Sequence, residues 1–118
     1  MVACGYGRTV NVASIDAYRP KPTLPHYAAA KAVVVSLTKS VAEALAPHEV
    51  LVNAVSPGGI ATEAAKAQSW LKESLSRIPV RRAAEPEDIA EVVAFLASPA
   101  NRFVTSESII ASGGELMA

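Results

Sequence analysis

Hydrophobic and polar positions alternate in a way that divides the chain into three apolar, β-branched runs separated by two helical stretches. The first run, RTVNVAS at residues 8–14, follows Gly7, and its apolar character is broken only by Asn11. That pattern predicts a strand buried on both faces. The next segment, IDAYRPKPTLP, carries three prolines and reads as a loop. From Pro25 to Ala46 the alanine content favours helix, and Val34, Leu37, Val41 and Leu45 recur at helical spacing as a predicted buried face. Pro47 ends it. The second strand is VLVNAVS at 50–56, and the PGG that follows at 57–59 forces a turn.

Residues 62–77 contain further helical material without clear ends. AEPEDIAEVVAFLAS is better marked: Pro86 opens it, Glu87 and Asp88 suit the positive end of the dipole, and Ile89, Val92, Val93 and Leu96 form one face. ESIIAS supplies a short third strand before Gly113 and Gly114. Strand, helix, strand, helix, strand predicts an α/β fold: a partial, Rossmann-like, doubly wound parallel sheet of about three strands with helices on both faces. Three strands make a thin sheet of this kind, with one parallel edge left bare, so the pattern reads as part of a larger fold.

Composition narrows the possibilities. The 118 residues suffice for one modest domain, 51% are hydrophobic, and eleven basic residues balance eleven acidic ones. No basic stripe suggests nucleic acid, no apolar run is long enough for a membrane span, and Met1 does not open a signal-peptide pattern. The single cysteine, Cys4, excludes an internal disulfide framework and fits a reducing, cytoplasmic setting. His26 and His48 are not spaced like metal ligands and read as solvent-facing loop residues, so no metal site is expected.

Candidate chemistry gathers at HYAAAK, residues 26–31. At helical spacing Tyr27 and Lys31 lie one above the other, where an ammonium favours the phenolate form of a phenol. A tyrosine so tuned exchanges protons with an alcohol or carbonyl, and the intervening alanines leave room for a flat ligand. Ser14, at the carboxyl end of the first strand, could bring a hydroxyl to the same end of the sheet, where open α/β sheets bind ligands. An isolated tyrosine–lysine pair is more often just an aromatic ring packed on a lysine stem.

The wider pattern changes that balance. NVAS with Ser14, then Tyr27 and Lys31 at these intervals, resembles the active site of the short-chain dehydrogenase/reductase family. AAAKAVVVSLTKSVAEALAP resembles that family's active-site helix, and VLVNAVSPGGIATE its next strand and turn. IPVRRAAEPEDIAEVVAFLASPA and VTSESIIASGG resemble its penultimate helix and closing strand. The resemblance runs from about Gly5 to Gly114. It implies an NAD- or NADP-dependent oxidoreductase interconverting an alcohol and a carbonyl. Tyr27 would be the general acid/base, Lys31 would assist it and bind the nicotinamide ribose, and Ser14 would hold the substrate oxygen. Pro57 and Gly58 would shape the nicotinamide pocket, with the Ile60 backbone and Thr62 meeting the carboxamide. Asn53 is assigned no catalytic role. The resemblance also implies a homo-oligomer formed through the last helix and strand.

The glycine-rich strand–turn–helix that binds the cofactor's pyrophosphate in this family has no counterpart here. GYGRTV lacks a third glycine and precedes a strand. Residues 1–118 therefore resemble the carboxyl-terminal portion of such a domain, without its cofactor half. Two smaller departures are Glu49, where the family often has glycine, and Ser112, where it usually has aspartate. The bare edge implies a chain of marginal stability as a monomer, and leaves a second expectation: a non-catalytic remnant acting as an oligomerisation partner. The substrate would be set by residues 59–82, where Trp70, Leu71 and Ile78 only weakly favour an apolar one over simple packing.

Overall fold

The computed structural model describes residues 1–117. Three parallel strands, β1 (Gly7–Val12), β2 (Val50–Pro57) and β3 (Ser108–Ala111), form a sheet in the order β1-β2-β3. The long helix α1 (Pro25–Leu45) links β1 to β2. Short helices α2 (Glu63–Lys66) and α3 (Ser69–Leu75) and the longer α4 (Pro86–Ala97) lie between β2 and β3. Gly7 pairs with Val50 and Val12 with Val55, while Ala54 pairs with Ser108 and Pro57 with Ala111.

β2 runs through the middle of the sheet, and every one of its residues is buried. Its alternate side chains serve two layers. Val50 and Val52 pack with Ala42 of α1, with Val41 and Leu45 at the margin. The intervening Asn53 points to the connection between α4 and β3. Its Nδ2 donates to the Val104 carbonyl at 2.8 Å, and its Oδ1 accepts from Glu107 N–H at 3.1 Å. Asn101 completes that clamp, donating to the carbonyls of Leu96 and Val104 and accepting from Val104 N–H. Both asparagines are fully buried and each side-chain nitrogen and oxygen has a partner, which makes Asn53 a brace.

Three sequence expectations need correction. β1 ends at Val12, which is 52% exposed, and beyond Gly7 its residues are at most partly buried, so it is not buried on both faces; as an edge strand it pairs along one side only, with β2. The proline-rich loop does contain helix: a single 3-10 turn, Ile15–Ala17, forms before the first proline. In α1 the buried positions are Ala28, Val35, Thr38 and Ala42, whereas Leu37 is 55% exposed. Small side chains win this face because α1 lies close to β2, and Thr38 is satisfied there by the Val34 carbonyl and by Asn11 Nδ2.

Elsewhere the reading holds. Pro25 and Pro47 bracket α1, and the stretch 62–77 resolves into α2 and α3. Glu49 adopts φ 60°, a left-handed conformation that favours glycine. α4 starts where expected, with Glu85 N–H donating to Asp88 Oδ2 at 2.8 Å. The Arg82 guanidinium hydrogen-bonds the same carboxyl and, with the Glu85 amide second, holds it below the usual carboxylate range.

Candidate active site

The carboxyl ends of β1 and β2 open onto a cleft of about 330 Å³. Its walls come from the turn after β1 (Ser14, Asp16), the start of α1 (Tyr27), the turn after β2 (Pro57, Gly58, Gly59), α3 (Trp70, Ser74) and the chain's end (Glu115). The strand ends and their turns converge there because all three strands run the same way.

Ser14 caps the 3-10 turn, its Oγ accepting from Asp16 N–H at 3.1 Å. The hydroxyl proton remains available for another acceptor. Tyr27 lies in the first turn of α1 and is 39% exposed. Lys31, one turn later, places its Nζ 5.7 Å from the centre of the Tyr27 ring. The same ammonium donates to the Val12 carbonyl at 2.9 Å, which ties α1 to the end of β1 and leaves two N–H groups free of that bond.

The structure thus brings Ser14, Tyr27, Pro57 and Gly58 to one cleft, with Lys31 beside Tyr27. Ile60 and Thr62 lie farther along the turn, outside the cleft wall. Ile60 pairs with Ala84, and Thr62 caps α2 by accepting from Ala65 N–H. Cleft residues that the sequence reading passed over are Asp16, Lys21 and Glu115. Lys21 Nζ is 3.8 Å from Asp16 and 5.6 Å from the Trp70 ring centre. Glu115 reaches back under Gly58 and Gly59, and Arg19 donates to it from the loop after β1. Their common signal was position: each follows the carboxyl end of a strand. Among the described residues no cluster of potential metal ligands occurs, and no helix is long and apolar enough to cross a membrane.

Comparisons with known proteins agree with this geometry. A family model described as enoyl-(acyl carrier protein) reductase matches residues 1–115. An acetoacetyl-CoA reductase from Rhizobium meliloti is 41% identical over 117 residues, a match covering 97% of this chain and 48% of that protein. The structure of a Brucella melitensis 3-oxoacyl-[acyl-carrier protein] reductase with bound NAD superimposes with a TM-score of 0.91 at 34% identity, covering 100% of this chain and 44% of that one. A second Brucella melitensis structure, described as a short-chain dehydrogenase/reductase of glucose/ribitol dehydrogenase type, is 41% identical with a TM-score of 0.85, covering 93% and 46%. The chain spans about half the length of the relatives it matches. With a family model matching residues 1–115 and the parallel sheet superimposing on solved relatives, the chain belongs to the short-chain dehydrogenase/reductase family.

Proposed function

We propose that this chain carries the catalytic portion of an NAD(P)-dependent oxidoreductase that interconverts an alcohol and a carbonyl. The observation that carries this reading is the convergence of Ser14, Tyr27, Pro57 and Gly58 on one cleft, with Lys31 a turn from Tyr27. Family membership and a relative solved with NAD support the nicotinamide cofactor. The cleft volume lies within the range of small-ligand sites and accommodates a nicotinamide ring and a small substrate. When bound, the dinucleotide supplies the hydride in reduction and takes it in oxidation.

The chain's own residues handle the oxygen and the proton. Ser14 uses its free hydroxyl proton to hold the substrate oxygen. Tyr27 gives its phenolic proton to the alkoxide that develops in carbonyl reduction, and takes a proton from the alcohol in the reverse direction. Lys31, fixed to the Val12 carbonyl, places a positive charge near the Tyr27 ring, and its remaining N–H groups would hold the cofactor ribose. Pro57 and Gly58 form the nicotinamide wall, while the Ile60 backbone and Thr62 serve the carboxamide. No glycine-rich strand–turn–helix for the pyrophosphate occurs among the described residues, so this chain supplies the nicotinamide end of the site.

Titrating the 118-residue chain with NADH and with NADPH tests the reading and asks which cofactor is preferred. Saturable binding supports it. A second reading, an oligomerisation partner without catalysis, is favoured by the apolar surface around α4 and β3, where Phe95 is half exposed and Phe103 is 95% exposed. Absence of dinucleotide binding together with concentration-dependent self-association would favour that alternative.

A further inference from the structure

Glu115 has no task in the hydride-transfer reading, yet it lines the cleft beside Ser14 and Tyr27. Its side chain is only 2% exposed. A buried carboxylate needs good partners to offset its lost hydration. Here the partners are distant: Arg19 donates to Oε1 at 3.4 Å, and Gly59 N–H to Oε2 at 3.4 Å. Well-formed bonds between charged groups are nearer ~2.7–2.9 Å, and an ionised carboxylate has about four acceptor positions. The wall of the cleft therefore leaves this group with spare accepting capacity.

The chain is shaped to put it there. Gly113 and Gly114 follow β3 with φ values of 60° and 88°, turning the backbone back across the strand ends. Any side chain at residue 58 would place its Cβ 3.0 Å from both Glu115 Oε2 and Ser112 Cβ and 3.1 Å from Ser112 Cα, so glycine there admits the returning backbone together with the carboxylate. Asp16 lines the same cleft and adds a second carboxylate.

We propose that Glu115 is a specificity-determining acceptor, taking a hydrogen bond from an O–H or N–H group of the ligand in the cleft. The inference rests on the reading that substrate and nicotinamide occupy this cleft. It favours hydroxylated carbonyl compounds over plain ketones. The donor belongs either to the substrate hydroxyl or to the nicotinamide carboxamide; both present the same chemistry.

Amide-resolved NMR titrations of the 118-residue chain separate the cases, using the shifts of Tyr27, Gly58 and Gly59. One arm compares dihydroxyacetone with acetone; the other compares nicotinamide with N,N-dimethylnicotinamide, which has no N–H to donate. In at least one arm the donor-bearing probe should bind about tenfold more tightly, the worth of one hydrogen bond to a charged group. Glu115→Ala should remove that preference, Glu115→Gln should keep part of it, and Arg19→Ala should leave it in place. The arm that responds identifies the donor's source. A preference that survives Glu115→Ala overturns the inference, and so does one lost equally in Arg19→Ala, which would make Glu115 merely an anchor for Arg19. If the unmodified chain gives the dispersed amide spectrum of a folded protein and no probe shifts its cleft amides, the cleft reading itself fails and takes this inference with it. If the probes bind without any donor preference, only the role of Glu115 is lost.

Discussion

The connection braced by Asn53 and Asn101 and the cleft around Tyr27 treat polar groups in opposite ways. Both asparagines are sealed from water, and each side-chain nitrogen and oxygen is bonded to backbone between Leu96 and Glu107. In the cleft, Ser14 has one contact to the Asp16 amide, Lys31 has one bond to a strand carbonyl, and Glu115 is held by two long ones. Saturated polar groups fix a backbone path. Unsaturated ones keep capacity for a ligand, and the contrast separates scaffold from candidate site without reference to any relative.

Substitutions that exchange the consequences of the two regions test the contrast. The largest expected effect is on chemistry: in an active protein containing this chain, Tyr27→Phe should lower turnover by about a hundredfold to ten-thousandfold, the usual contribution of a positioned acid/base group. Its thermal midpoint should scarcely move, because the hydroxyl borders the cleft. Retained turnover would remove Tyr27 from the mechanism. Asn53→Ala should do the reverse, costing about 2–3 kcal/mol in urea unfolding by orphaning the Val104 carbonyl and the Glu107 amide. A cost under half a kcal/mol would show that the clamp is not a brace. Glu49→Gly should stabilise the chain by up to about 1 kcal/mol, since the residue is already left-handed; denaturant midpoints would read this.

The smallest effect concerns acid. Arg82, and then the Glu85 amide, lower the Asp88 carboxyl below its ordinary 3.8 in the folded chain. Its stabilisation is therefore present above that value and is lost as pH falls through the lower folded one. Asp88→Asn should flatten the acid side of the stability profile below pH 4 relative to the unmodified chain. An unchanged profile would show that this surface pair contributes nothing.

Much of the framework was legible because it rests on local signals. Pro25 and Pro47 mark the ends of α1 and Pro86 opens α4, whereas the left-handed Glu49 was signalled only by the glycine the family often has there. The face of α1 was not legible from side-chain size. In an alanine-rich helix the closest approach is made by the smallest residues, so Ala28 and Ala42 are buried while Leu37 is not. The exposure of Val12 depends on what pairs beyond β1, which no feature of RTVNVAS encodes. At the site, the meeting of Ser14 and Tyr27 at one cleft with Lys31 alongside followed from the family resemblance of their intervals, not from the residues alone. Arg19 and Glu115 were not, because roughly a hundred residues of chain separate them and only the tertiary fold joins them.

The sheet register also governs when the cleft can come into being. Pairing Gly7 with Val50 and Ala54 with Ser108 closes loops of roughly forty and roughly fifty residues, each containing helix. α1 can begin to form from its own turns, but β2 acquires partners only after long stretches of chain have been gathered. Ser14, Gly58 and Glu115 belong to three separate segments joined by those closures. Assembly of the cleft should therefore be a late event on a slow folding path, and fluorescence of Trp70 in its wall would report it as a phase trailing the growth of helical signal.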